Sequence, residues 1–171
     1  MRRMGKPVRL VAVLAAVAAI AGLGSGMAAR ATSENEPCTD GSRECVIASA
    51  DTYLQALVSH DASEIRLAPD ARRTENGLES GNNAEEIRSS LEPPTPDESI
   101  TGIRDKRWWV DGDQAIVYYL ADTSTLPPVD GVHTTTTRIA ERFKVVGGLI
   151  HEIEAIFWVS PGPTPEGSGW E

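Results

Sequence analysis

Apolar residues recur at Val46, Ile47, Ala50, Tyr53, Leu54, Leu57 and Val58, at steps of one, three and four. That spacing lays them along one stripe of an α-helix. Ser42 or Asp40, just ahead, can cap its first turn. His60-Asp61-Ala62-Ser63 predicts a second short helical turn to about Leu67, ended by Ala68-Pro69-Asp70. Arg72 to Glu75 reads as a short strand, followed by the turn pair Asn76-Gly77. Asn83 to Leu91 predicts a short helix with Ile87 and Leu91 four apart, and the prolines of Glu92 to Pro96 make a loop.

From Ile100 onward the pattern becomes that of strands. Ile103 to Val110 and Gln114 to Asp122 flank the hairpin signal Asp111-Gly112-Asp113. Thr125 to Gly131 is a Pro-containing connection. Val132 to Val146 holds four consecutive β-branched threonines, which disfavour helix. Gly147-Gly148 turns the chain into a last strand, Leu149 to Val159. Helices first, then four long antiparallel strands, is an α+β layout. A cone-shaped curved antiparallel β-sheet wrapped around the N-terminal helix would bury the Tyr53 and Leu57 stripe, and its open end is a natural small-molecule pocket.

The chain starts with a basic segment, Met1 to Arg9, then an apolar run from Leu10 to Leu23 and the small-residue site Ala29-Arg30-Ala31. These are the three regions of a secretory signal peptide over 1–31. An uncleaved anchor over Leu10 to Ala29 is the alternative, which Gly22, Gly24 and Gly26 weaken. Cleavage predicts a secreted or cell-envelope protein with a polar N-terminal arm over 32–44, a folded domain over 45–159 and a disordered Pro/Gly-rich tail over 160–171. In an exported chain Cys38 and Cys45 read as a disulfide that staples the arm to the first turn of the helix.

The 171 residues are 40 % hydrophobic and 24 % charged, enough for one domain with a sizeable core. The net charge is −9. The leader holds five of the 16 basic residues and none of the 25 acidic ones, so the mature chain would carry −14. Such a chain repels nucleic acid and anionic lipid, which argues against nucleic-acid partners and, after cleavage, against a membrane role.

Two segments carry a resemblance. One is Asp61 to Gly77, with Leu67-Ala68-Pro69-Asp70 and Thr74-Glu75-Asn76-Gly77. The other is the closing hairpin Glu141-Arg142-Phe143-Lys144-Val145-Val146-Gly147-Gly148-Leu149-Ile150-His151-Glu152-Ile153-Glu154. Together with the element order, they make Val46 to Val159 resemble the nuclear-transport-factor-2-like (NTF2-like) superfamily, in its SnoaL-like branch, whose uncharacterised secreted members share these stretches. The resemblance implies an NTF2-like α+β barrel. It also implies a range of functions: isomerases, dehydratases, cyclases, hydrolases and non-enzymatic binding or assembly domains. The enzymes typically pair an acidic base with a Tyr, His or Asp deep in the cone.

Strand alternation puts His133, Thr135, Thr137, Ile139, Glu141, Phe143 and Val145 on one face, taken as the inner one. His133 would overlook one mouth of the cone, and Glu141 would be an inward carboxylate with a raised pKa, fit for a general base. The preferred reading, however, is a bulge that turns Glu141 outward. Glu75 and Asn76 could line the pocket rim, although a plain turn with Glu75 paired to Arg72 or Arg73 is favoured. Of Trp108 and Trp109, and of Tyr118 and Tyr119, one in each pair must face inward; Trp109, Tyr119 and the helical Tyr53 are the pocket candidates, with core packing the commoner fate of such aromatics. His60 beside Asp61 reads as a cap. No nucleophile elbow, phosphate loop or metal-ligand spacing is present, so no cofactor or metal is expected.

The expected function is a secreted domain that binds a small, largely apolar molecule or a protein partner without catalysis. The alternative is an isomerase, dehydratase or cyclase with Glu75 or Glu141 as base and Tyr119 or His133 as partner. The strand from Gln114 to Asp122 is apolar on both faces, which suggests a homodimer through the sheet face.

Overall fold

The structure is a computed structural model that describes residues 38–92, 98–129 and 132–160. The expected signal peptide over 1–31, most of the arm, the proline loop from residue 93 and the tail beyond 160 lie outside the described residues.

Helix α1 spans Arg43–Ser59. Ser42 caps it, its Oγ accepting from the Cys45 N–H at 3.2 Å, while Asp40 accepts from the Ser42 N–H at 2.9 Å. Both expected cap residues are therefore used, in series. His60 ends the helix in the left-handed region (φ 57°), its N–H donating to the Ala56 carbonyl, which is the cap role expected of it. Cys38 and Cys45 form the disulfide. It holds Cys38 against the hairpin turn at Gly148, where φ is +78° and a Cβ would collide with the Cys38 carbonyl.

Six strands follow: β1 (Leu67–Glu75), β2 (Leu78–Gly81), β3 (Glu98–Asp111), β4 (Gln114–Val129), β5 (Val132–Val146) and β6 (Leu149–Ser160), with the short helix α2 (Ala84–Ser89) between β2 and β3. They form one open, curved sheet in the order β2-β1-β6-β5-β4-β3. The four long strands expected are antiparallel neighbours in sequence order, and β1 adds a parallel pair with β6. Two expectations are corrected here. The helical turn expected from His60 to about Leu67 is only a turn at Ser63-Glu64, and its expected end and break, Leu67 to Asp70, is the first half of β1, with Pro69 and Asp70 exposed at an irregularity in the pairing with β6. The presumed connection after Thr125 is the continuation of β4 to Val129.

The helix lies on the concave face. Val46, Ala50, Tyr53 and Leu54 are buried against inward residues of the sheet, and the Tyr53 ring meets Phe143 of β5 edge-on, centroids 5.7 Å apart. The fold is therefore the α+β cone, with the helix stripe as its filling.

Candidate functional site

Alternation along β5 holds through its second half: Ile139, Glu141, Phe143 and Val145 are buried, whereas Arg138 and Val146 are exposed. No bulge turns Glu141 outward. The register shift between β5 and β6 falls at Lys144/Val145, beyond it, so Glu141 points inward with 2 % of its surface exposed. On β4, Val117 stands opposite Glu141, and Tyr119 is the next inward residue. That diagonal separation across two strands is within reach of a long side chain. The Tyr119 hydroxyl accordingly donates to Glu141 Oε2 at 2.8 Å. It is the only hydrogen-bond partner found for this carboxyl among the described residues.

Burial dominates the electrostatics. Removal from water pushes the Glu141 carboxyl up to about 7; the Tyr119 hydrogen bond and the Arg73 charge pull it down, and Glu75 pushes it up. The same burial, reinforced by the nearby Glu141 charge, raises Tyr119 and Tyr53, so both phenols keep their protons.

Arg73 of β1 completes the cluster. It is 5 % exposed and shares the buried side of β1 with Ala71. Its Nε donates to Ser80 Oγ at 2.9 Å, its Nη2 to the Ser80 carbonyl at 3.0 Å and its Nη1 to Tyr53 Oη at 3.2 Å. Ser80 is a residue of β2, so this short strand supplies both anchors of the guanidinium other than Tyr53. Glu75 sits two residues on, with an oxygen 3.8 Å from Arg73 Nε, as the pairing alternative anticipated. Glu75, Ala155 and Glu141 occupy one row across β1, β6 and β5. The two carboxylate-bearing strands thus flank a residue whose side chain is a single methyl.

The structure brings together Tyr53, Glu75, Tyr119 and Glu141 from the predicted set. It leaves out two others. Trp109 is 52 % exposed on the outer face, edge-on to Tyr118, and the inward indole is that of Trp108, beside Phe143. Asn76 is a turn residue with φ +49°, whose Oδ1 accepts from the Phe157 N–H at 2.9 Å on the surface. His133 lies in β5, but its side chain is outside the described ones. Arg73 was missed as a site residue. Its signal was present: Leu67, Ala71 and Arg73 share a parity once the strand is taken back to Leu67. No group of three or more metal-ligating side chains occurs among the described residues.

Comparison with known proteins places the chain. The sequence profile of DUF8021, a domain of unknown function, matches residues 39–157. The chain belongs to this family. No curated protein matches it. Among solved structures it is similar to an LEH-like epoxide hydrolase of Mycobacterium tuberculosis, with TM-score 0.57 and 16 % identity, covering 66 % of this chain and 82 % of that one. It is also similar to a putative ketosteroid isomerase from Kribbella flavida, with TM-score 0.52 and 17 % identity over 71 % and 84 % of the two chains. An NTF2-like protein of unknown function from Burkholderia xenovorans gives TM-score 0.51 and 15 % identity over 72 % and 89 %. At such identities the likeness speaks for the fold, and this DUF8021 domain has the NTF2-like fold.

Proposed function

We propose that the cone interior of this domain takes up a small, largely apolar molecule and that Glu141 acts on it as a general base, as in an isomerase, dehydratase or cyclase. The observation that carries this reading is the Glu141 carboxyl itself: inward, almost wholly buried and held by one phenol, an environment whose burial pushes it up to about 7. A base of that kind is partly ionised at pH 7 and still strong enough to remove a proton, the balance that general-base catalysis favours. A carboxyl kept only for structure would gain from more hydrogen bonds or a paired cation. Trp108, Phe143, Ile139 and Val117 around it supply apolar contact. Relatives in fold titled as an epoxide hydrolase and a putative ketosteroid isomerase are consistent with chemistry in this architecture.

The experiment is deuterium incorporation, followed by proton NMR, at carbons next to the carbonyl in a panel of apolar cyclic ketones incubated with the protein in D2O. Exchange above the buffer rate, falling by about 100-fold or more in Glu141→Gln, is the expected result. Binding of these molecules without exchange, unchanged by Glu141→Gln, would leave the non-catalytic binder as the function.

The outer face of the sheet is assigned to a second copy of the chain. Tyr118, Ala140 and Ile156 form one row across β4, β5 and β6, with Trp109, Ile116 and Trp158 beside them, most of them well exposed. The rim carries charges of both signs, Arg142 bonded to Glu152 and Glu154, so a symmetric contact need not oppose like charges. Sedimentation velocity should find a dimer that Trp158→Ser with Ile156→Ser dissociates; a monomer at all concentrations rejects this assignment. Secretion fits the disulfide, and no helix among the described residues is long and apolar enough to cross a membrane.

A further inference from the structure

The Cys38–Cys45 bond stands on a cross-tied base made by α1 and β6. Ser49, fully buried, donates its hydroxyl to the Gly148 carbonyl at 3.0 Å, and its own carbonyl accepts from Thr52 Oγ1 at 2.7 Å. Thr52 Oγ1 in turn accepts from the Arg66 N–H at 3.3 Å, and the Arg66 carbonyl accepts from the Ile150 N–H at 2.7 Å. The Arg66 backbone is therefore fixed between helix and strand, and its Nη1 stands 4.0 Å from Cys38 Sγ. Asp40 and Glu44 flank the bond in sequence, and Arg66 brings a cation to it. The two sulfurs differ in access. Cys45 is 4 % exposed in the first turn of α1, whereas Cys38 is half-buried and offers the more open approach.

We propose that this disulfide is a redox latch. A dithiol reductant opens it by attack at Cys38, with Arg66 as the positioning residue that draws in the attacking thiolate. Opening frees Cys38 and the chain ahead of it from the Gly148 turn, while the domain from Ser42 onward stays folded. A guanidinium at this distance favours the charged sulfur over the neutral one and attracts an anionic nucleophile. The step balances. The first thiolate of the reductant bonds to Cys38 Sγ, the S–S bond breaks, and its electron pair leaves on Cys45 Sγ, which takes up a proton. The second thiolate then bonds to the first reductant sulfur, Cys38 leaves as a thiolate beside Arg66, and the reductant ends as a disulfide, oxidised by two electrons. Helix α1 does not need the bond, because Ser42 Oγ takes the Cys45 N–H and Asp40 takes the Ser42 N–H. Cys38 does need it, since the disulfide is its covalent tie to the helix beside the Gly148 turn. The state of the bond thus decides whether the N-terminal segment is held on the β5–β6 hairpin.

The test is reduction of the intact, folded protein by dithiothreitol, followed by counting free thiols. Reduction should run to completion with the far-ultraviolet circular dichroism unchanged. Arg66→Gln should slow it by about tenfold, Arg66→Lys should stay near wild type, and the gap should close in high salt. A packing role for Arg66 would show neither the rescue by lysine nor the salt dependence. Where Arg66→Gln does not fold, a wild-type rate that falls with added salt carries the same test. Glutathione trapped with iodoacetamide during the reaction should be found on Cys38, with the alkyl group on Cys45. Amide hydrogen exchange in the reduced protein should rise over residues 38–42 and 146–149 and stay unchanged over β3 and β4. The double variant Cys38→Ser with Cys45→Ser should give the same exchange pattern with no reductant present. Reduction only at the rate of global unfolding, glutathione on Cys45, or an Arg66→Gln rate equal to wild type would overturn the proposal. Exchange that spreads through the whole sheet would overturn it too, because the bond would then be a staple of the fold.

Discussion

Glu141 and Arg142 are adjacent in β5 and face opposite sides of the same sheet. Arg142 reaches Glu154, Glu152 and Gln114 at 2.8 to 3.0 Å in partial contact with water, an arrangement where each charge is cheap to keep and loosely worth its bonds. Glu141 has one phenol and no water-facing surface to speak of, so its charge is expensive and its proton is held tightly. The same contrast separates Trp108 from Trp109 and Tyr119 from Tyr118. The inner member of each pair joins the core around Phe143, and the outer member lies on an exposed apolar surface. One backbone thus carries a solvated, charge-paired surface on one side and a sparsely satisfied polar cluster on the other. Only the second has capacity left over for chemistry.

Substitutions that exchange or erase these environments sharpen the comparison. Phe143→Ala, on the inner face, should cost about 3–5 kcal/mol in chemical denaturation, since it removes the ring against which Tyr53 and Trp108 pack. The next effect is pH-dependent. Because the folded value of Glu141 is raised to about 7 from 4.5, the folded chain binds the proton more tightly than the unfolded one. Its contribution to stability is therefore complete below pH 4.5 and lost as pH rises through 7. The unfolding free energy of wild type relative to Glu141→Gln should fall across that window, by on the order of 3 kcal/mol at about 1.4 kcal/mol per unit. The outer Asp122 and Glu152 are held low by Arg104 and Arg142 and slope the other way, which is why the difference between the two proteins is the quantity to measure. Arg142→Ala, on the outer face, should cost about 0.5–1 kcal/mol, and less in high salt. Trp158→Ser should change monomer stability by less than about 0.5 kcal/mol, because 73 % of the side chain's residue surface is already in water. A cost for Trp158→Ser comparable to that of Phe143→Ala would erase the distinction between the faces.

Much of this was legible in the sequence. The α1 stripe, the β5 boundaries and the alternation that turns Glu141 inward all follow from spacings of 3.6 and 2. The site was legible only in part. A bulge was the preferred reading at Glu141 because bulges are common in curved sheets; none falls there, and Tyr119, two residues along the neighbouring strand, is what makes the buried carboxyl tolerable, a pairing that depends on register. Arg73 was hidden because Leu67 to Asp70, with its proline, does not read as strand. Its partner Ser80 lies in β2, a four-residue strand too short to announce itself. Between Trp108 and Trp109 the sequence required opposite faces without saying which was inner.

The account depends most on the state of one carboxyl. Carbon-13 NMR titration of the Glu141 side chain, assigned by its absence in Glu141→Gln, measures it directly. A midpoint near 7 is the predicted result, and a midpoint between 4 and 5, the range of a solvated glutamate, would contradict it.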